Sequence, residues 1–89
     1  MIVKYSPAFL AKLKKANVRI KKSFRERIEK FDENPYDPQL NNHLLKREYQ
    51  GHRSINITAD WRALYQEKKE GNEVIAYFVL LGTHTQLYR

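Results

Sequence analysis

Three segments decide the fold: Arg53-Ser54-Ile55-Asn56-Ile57-Thr58, then Trp61-Arg62-Ala63-Leu64-Tyr65-Gln66-Glu67, then Val74-Ile75-Ala76-Tyr77-Phe78-Val79-Leu80-Leu81. In the first, Ile55 and Ile57 alternate with Ser54, Asn56 and Thr58, the period of a half-buried strand. Residues 61–67 read as the next strand, and Lys69-Glu70-Gly71-Asn72 as the hairpin turn into residues 74–81. That last segment is apolar on both faces, which places it centrally in a sheet beneath a covering layer. Gly82 is expected to break it, leaving residues 84–88 as a tail just beyond its end. Upstream, residues 45–49 read as one more strand, with Gly51 permitting a tight turn into Arg53.

Toward the N-terminus, Ile2, Val3 and Tyr5 suggest a short opening strand. Ser6 and Pro7 then mark a helix start, because a Ser hydroxyl caps free amides and Pro at the first helical position gives up no needed hydrogen bond. Phe9, Leu13 and Ala16 share one face of a helix over residues 7–16; after Asn17, Ile20, Phe24, Ile28 and Phe31 recur at helical spacing. Asn34-Pro35-Tyr36-Asp37-Pro38 ends this second helix. The expected architecture is α+β: an N-terminal strand and a helical hairpin packed on one face of a small, mainly antiparallel sheet, the other face partly open. At 89 residues, the chain reads as one domain, 1–89.

Seventeen Lys and Arg against ten Asp and Glu give a formal charge of +7. Such an excess draws a protein toward polyanions. The densest block is Lys12, Lys14, Lys15, Arg19, Lys21, Lys22, Arg25 and Arg27, with Glu26 its only acid, suited to an RNA backbone or an acidic protein segment. The absence of cysteine excludes disulfides and thiolate metal sites and fits the cytoplasm. No apolar run is long enough to cross a bilayer, so no membrane partner is expected. His43, His52, His84 and Asp60 lack the short regular spacings of a zinc site, so neither metal nor cofactor is expected.

The histidines, Asp60 and several guanidinium groups all lie in the second half, an inventory able to hold a phosphate and move protons beside it. Its motifs, Gly51-x-Arg53-Ser54-Ile55-x-Ile57-x-x-x-Trp61-Arg62-x-x-Tyr65 and Gly82-Thr83-His84-x-x-Leu87-Tyr88, resemble those of the RelE/ParE superfamily of bacterial toxins, and within it the YafQ-like branch. The resemblance implies a RelE-like microbial ribonuclease fold and the toxin of a type II toxin-antitoxin system. It also implies ribosome-dependent mRNA cleavage, with the ribosome, mRNA and a cognate acidic antitoxin as partners in a toxin-antitoxin hetero-oligomer. His43, Asp60, Trp61 and His84 fall at active-site positions of that branch. Tyr88 stands where the branch often has Phe, and Asn56 where it can carry a further histidine.

Metal-independent RNA cleavage uses the neighbouring 2′-hydroxyl as nucleophile, so the enzyme removes that proton, protonates the leaving 5′-oxygen and neutralises the phosphorane. Imidazoles titrate in the right range. His84, beyond a strand end, is the leading general acid, and His43, in a loop-like stretch, is the second imidazole; His52 reads as surface. Asp60 serves either as base or holder of an imidazole tautomer, or as a turn residue bonding its own backbone. Tyr88 adds a phenol. Lys46, Arg53 and Arg62 are candidates for the phosphate if strand alternation aims them at one face. Trp61 and Tyr88 offer rings on which bases stack, and Trp61 competes equally as a core residue. Two further functions on the same fold are a ParE-like inhibitor of DNA gyrase and an RNA- or antitoxin-binding module whose catalysis has decayed.

Overall fold

The structure, a computed structural model, describes residues 1–88. Strand β1 (Ile2–Tyr5) leads into helices α1 (Pro7–Lys15) and α2 (Val18–Glu33), followed by β2 (His43–Leu44), β3 (Arg53–Asn56), β4 (Trp61–Glu70), β5 (Glu73–Thr83) and a final turn of helix, α3 (His84–Leu87). The helix starts are set by side chains: Ser6 Oγ accepts from the Phe9 amide and Asn17 Oδ1 from the Ile20 amide, each at 3.0 Å. Each such cap contributes about 1 kcal/mol. Ala16 is extended, and this breaks the two helices apart.

The five strands form one sheet in the order β1-β5-β4-β3-β2. Only β1–β5 is parallel; the other pairs are antiparallel. As its two apolar faces imply, β5 is an interior strand. The helical hairpin covers one face, burying Phe9, Phe24 and Phe31 against Ile55, Ala63, Tyr65, Ala76, Phe78 and Leu81. Phe78 is the hub, with the rings of Tyr5, Phe9, Phe31 and Tyr65 at centroid distances of 5.0 to 5.8 Å. Deleting a buried ring of this kind costs about 3–5 kcal/mol.

Burial of Tyr65 beneath the hairpin pushes its phenol above the usual value of 10.0; burial, reinforced by Asp32, does the same to Tyr5. Above that pH the unfolded chain releases these protons while the folded chain keeps them, so stability is intact below about pH 10 and falls as pH rises through the folded values. Urea titrations from pH 9 to 12 should show this loss, with a shallower slope in Tyr65→Phe. An unchanged slope in that variant would count against the assignment.

Two sequence expectations are corrected. Residues 45–49 are not a strand: Leu45 donates its amide to His52 O at 2.9 Å, but Arg47 turns left-handed (φ 58°) and Arg47–Tyr49 closes into a 3-10 turn. Leu45 and Tyr49 stand four apart with three polar residues between them, which is not strand alternation. Gly82 does not end β5 either; it pairs with Arg62, and the strand runs on to Thr83. An added Cβ at Gly82 would stand 3.4 Å from Leu87 Cγ, so its bareness makes room for α3 to fold back over the sheet.

Candidate active site

Period-2 alternation sorts the polar residues of the sheet. Ile55, Ala63 and Leu81 pair across the strands on the helix side, so Ser54, Asn56, Arg62 and Gly82 point to the other face. That face is partly roofed by α3. Thr83 and Gln86 form a reciprocal capping box, Leu87 is buried, and the Tyr88 hydroxyl reaches Ser54 Oγ at 3.2 Å. The His84 amide donates to the Asp60 carbonyl at 2.8 Å, fastening the start of α3 to the turn between β3 and β4.

Between this roof and β2 lies a cleft of about 380 Å³ lined by Asn41, His43, Leu45, Arg62, His84 and Tyr88. His43 Nδ1 lies 2.8 Å from the Asn41 carbonyl. A carbonyl only accepts, so Nδ1 carries the proton and Nε2 is left as the basic nitrogen. Asn41 is itself left-handed (φ 47°), a conformation Asn tolerates. Arg62 Nη1 donates to the carbonyls of Thr58, Ala59 and Trp61 at 3.0 to 3.1 Å, which fixes the guanidinium at the cleft. The exposed His84 ring packs on the Tyr88 ring at a centroid distance of 4.8 Å. The charge is one-sided: among the described residues the lining holds a fixed cation and two imidazoles and no carboxylate.

Four of the sequence candidates, His43, Arg62, His84 and Tyr88, therefore meet in one cleft. Lys46 lines a neighbouring cleft that shares Tyr88 as a wall. Arg53 does not share a face with Arg62. It lies with Ile55 on the helix side, where Nε donates to Asn42 Oδ1 at 2.8 Å and the guanidinium sits 5.4 Å from the Tyr36 ring centre. Trp61 is half-buried against the core. Asn56 faces the site side beside Arg62, with its Oδ1 buried.

The Asp60 carboxylate is exposed, and among the described residues no hydrogen bond or ion pair joins it to either imidazole. The turn around it is held by Thr58, whose Oγ1 accepts from the amides of Asp60 and Trp61. Sequence reasoning missed Asn41 and Leu45 as lining residues and Ser54 as the anchor of Tyr88. Among the described residues no group of three His, Cys, Asp or Glu is placed to hold a metal ion.

A helical hairpin on one face of a five-stranded mixed sheet is the RelE-like fold of YafQ and YoeB/ParE toxins. The chain belongs to the YafQ family, described as the bacterial toxin of type II toxin-antitoxin systems, whose model matches residues 1–89. No curated protein matches the sequence. Several solved structures share the fold at low identity. YafQ from E. coli strain BL21(DE3) is 21% identical and superposes with a TM-score of 0.77, covering 98% of this chain and 97% of that one. A YoeB/ParE toxin from Agrobacterium tumefaciens is 18% identical with a TM-score of 0.74, covering 94% and 99%. A chain of the E. coli DinJ-YafQ complex is 21% identical with a TM-score of 0.63, covering 98% and 97%.

Proposed function

We propose that this toxin is a metal-independent endoribonuclease that cuts mRNA on the ribosome. The observation that carries the reading is the cleft itself: two imidazoles and an anchored guanidinium gathered around one space. His43 Nε2 takes the proton of the 2′-hydroxyl, and the 2′-oxygen attacks phosphorus. Arg62 stabilises charge growing on the phosphoryl oxygens, and His84 protonates the leaving 5′-oxygen. The products are a 2′,3′-cyclic phosphate and a 5′-hydroxyl end. Tyr88, with its hydroxyl occupied by Ser54, acts as a positioning residue that holds the His84 ring rather than as a proton donor. The site supplies few groups of its own, which suits a reaction whose substrate is held in place by the ribosome.

Primer extension on cellular mRNA after induction tests this directly. Discrete cuts that vanish when translation initiation is blocked are expected; growth arrest without cuts, together with inhibited gyrase supercoiling, would replace this reading with a ParE-like one.

The partner that silences the toxin is an acidic antitoxin, as DinJ and YefM accompany toxins in related solved complexes. A groove of about 400 Å³ between α1 and α2 has the matching chemistry: an apolar floor of Leu10, Leu13, Phe24 and Ile28 rimmed by Lys14, Lys21 and Arg25. Leu10 is 48% exposed, so Leu10→Asp leaves the core intact. It should weaken antitoxin binding by about tenfold or more, the value of one buried leucine, measured by calorimetry with the purified antitoxin. Unaltered affinity would move the antitoxin to another face.

A further inference from the structure

The Tyr88 ring makes two contacts: it packs on His84 in the cleavage cleft, and it meets the Tyr49 ring edge-on, at a centroid distance of 5.8 Å and an interplanar angle of 90°. Beside the Tyr49 contact lies a second cleft of about 250 Å³, lined by Lys46, Arg47, Glu48, Tyr49, Leu87 and Tyr88. It is roomy enough to admit a single nucleobase, with aromatic and aliphatic walls and a charged rim. The Arg47–Tyr49 turn that builds the rim is held by a left-handed arginine, a backbone state that non-glycine residues adopt seldom and that concentrates at functional sites.

The rim carries two cations and one carboxylate. Among the described residues the only ion pair joins Lys4 to Glu70, so Glu48 is not neutralised by Lys46 or Arg47 and its oxygens are available as acceptors. Guanine is the one neutral base with two adjacent donors, N1–H and the N2 amino group, on its pairing edge, and a carboxylate accepts both in parallel. Adenine, cytosine and uracil each present a single donor group there. Lys46 and Arg47 supply the positive charge that an adjoining phosphate needs.

We propose that the Lys46–Tyr49 turn and the Tyr88 ring form a second nucleotide subsite, holding the base that flanks the scissile phosphate, and that Glu48 makes guanine the preferred occupant. This rests on the nuclease reading for its place in the reaction, but binding to the subsite does not. Tyr88 is the shared wall that keeps the flanking base in step with the phosphate beside His84.

The test uses deoxydinucleotides, which lack the 2′-hydroxyl and cannot be cut. Titrating d(ApG) and d(ApA) into the labelled protein should shift the amide NMR signals of residues 46–49 and Tyr88 saturably. The guanine probe should bind about fivefold or more tightly, the discrimination of one bidentate pair. Glu48→Gln, at an exposed position, should bring the two affinities together. Equal affinities in the unmodified protein, a preference that survives Glu48→Gln, or no saturable shift at residues 46–49 would each overturn the proposal. Cut-site mapping separates this from the parent reading. A protein that cuts mRNA with the same flanking-base preference in Glu48→Gln loses the subsite and keeps the nuclease. One that binds guanine selectively but never cuts keeps the subsite and loses the nuclease.

Discussion

His84→Ala is expected to abolish growth arrest and reduce mRNA cutting by about 10²- to 10⁴-fold, the usual worth of a general acid, while leaving the melting temperature close to that of the parent. The stability half follows from where the residue sits. The ring is exposed, and its contact is the face of Tyr88. The bond that fastens α3 to the β3–β4 turn runs from the backbone amide of residue 84 to the Asp60 carbonyl, and alanine retains it. The activity half follows because no other group takes over. His43 is already committed through Nδ1 to Asn41, and the Tyr88 hydroxyl is engaged by Ser54. The informative contrast is Asp60→Asn. Its carboxylate touches neither imidazole, so cutting should fall less than about tenfold, within the range of surface charge effects. Full toxicity in His84→Ala, or a loss in Asp60→Asn as deep as in His84→Ala, would dismantle the assignment of roles.

The contrast between His84 and Asp60 also marks where the sequence is readable. Helix starts were legible because Ser6-Pro7 and Asn17 are local chemistry, and the strands because Ile55 and Ile57 alternate with polar residues. The grouping of His43, Arg62, His84 and Tyr88 needed the register of four strands, fixed by turns whose lengths no periodicity reports. Arg53 was more tractable: it shares parity with Ile55, so the alternation that buries Ile55 also turns Arg53 away from Arg62. Leu64 blurs that logic on β4, being buried on a face where an open sheet would show a polar residue. The final helix had a signal as well, since Thr83-His84-Thr85-Gln86 has the spacing of a capping box. Four residues are too few for a helical period to declare itself, and the motif therefore reads as a tail.

That short helix makes Gly82→Val the second large effect, and one reached without touching a proposed proton donor or acceptor. Valine favours a strand, and Gly82 has no left-handed backbone to protect, so β5 itself tolerates the change. What does not fit is the side chain. Its Cβ would lie 2.9 Å from Gln86 Oε1 and 3.4 Å from Leu87 Cγ, and the γ-methyls would press further into α3. Gln86 Oε1 is the acceptor for the Thr83 amide at 2.9 Å, so the intrusion opens the capping box as it lifts Leu87 out of its buried seat. The lost cap and the lost burial together cost about 2–4 kcal/mol, a measurable fall in unfolding free energy that leaves the helix-side core assembled. Activity should fall much further, toward the level of His84→Ala, because α3 starts at His84 and is capped by Tyr88, whose ring holds the imidazole. Gly82→Ala should be milder, since the Gln86 terminus can swing away and 3.4 Å from Leu87 asks only for a small shift. Adding Leu87→Ala to Gly82→Val makes room for the methyls and should return part of the cutting, a rescue that a general loss of fold would not permit. Full cutting by Gly82→Val would mean that the roof over the sheet is dispensable, and with it the argument that α3 positions the acid.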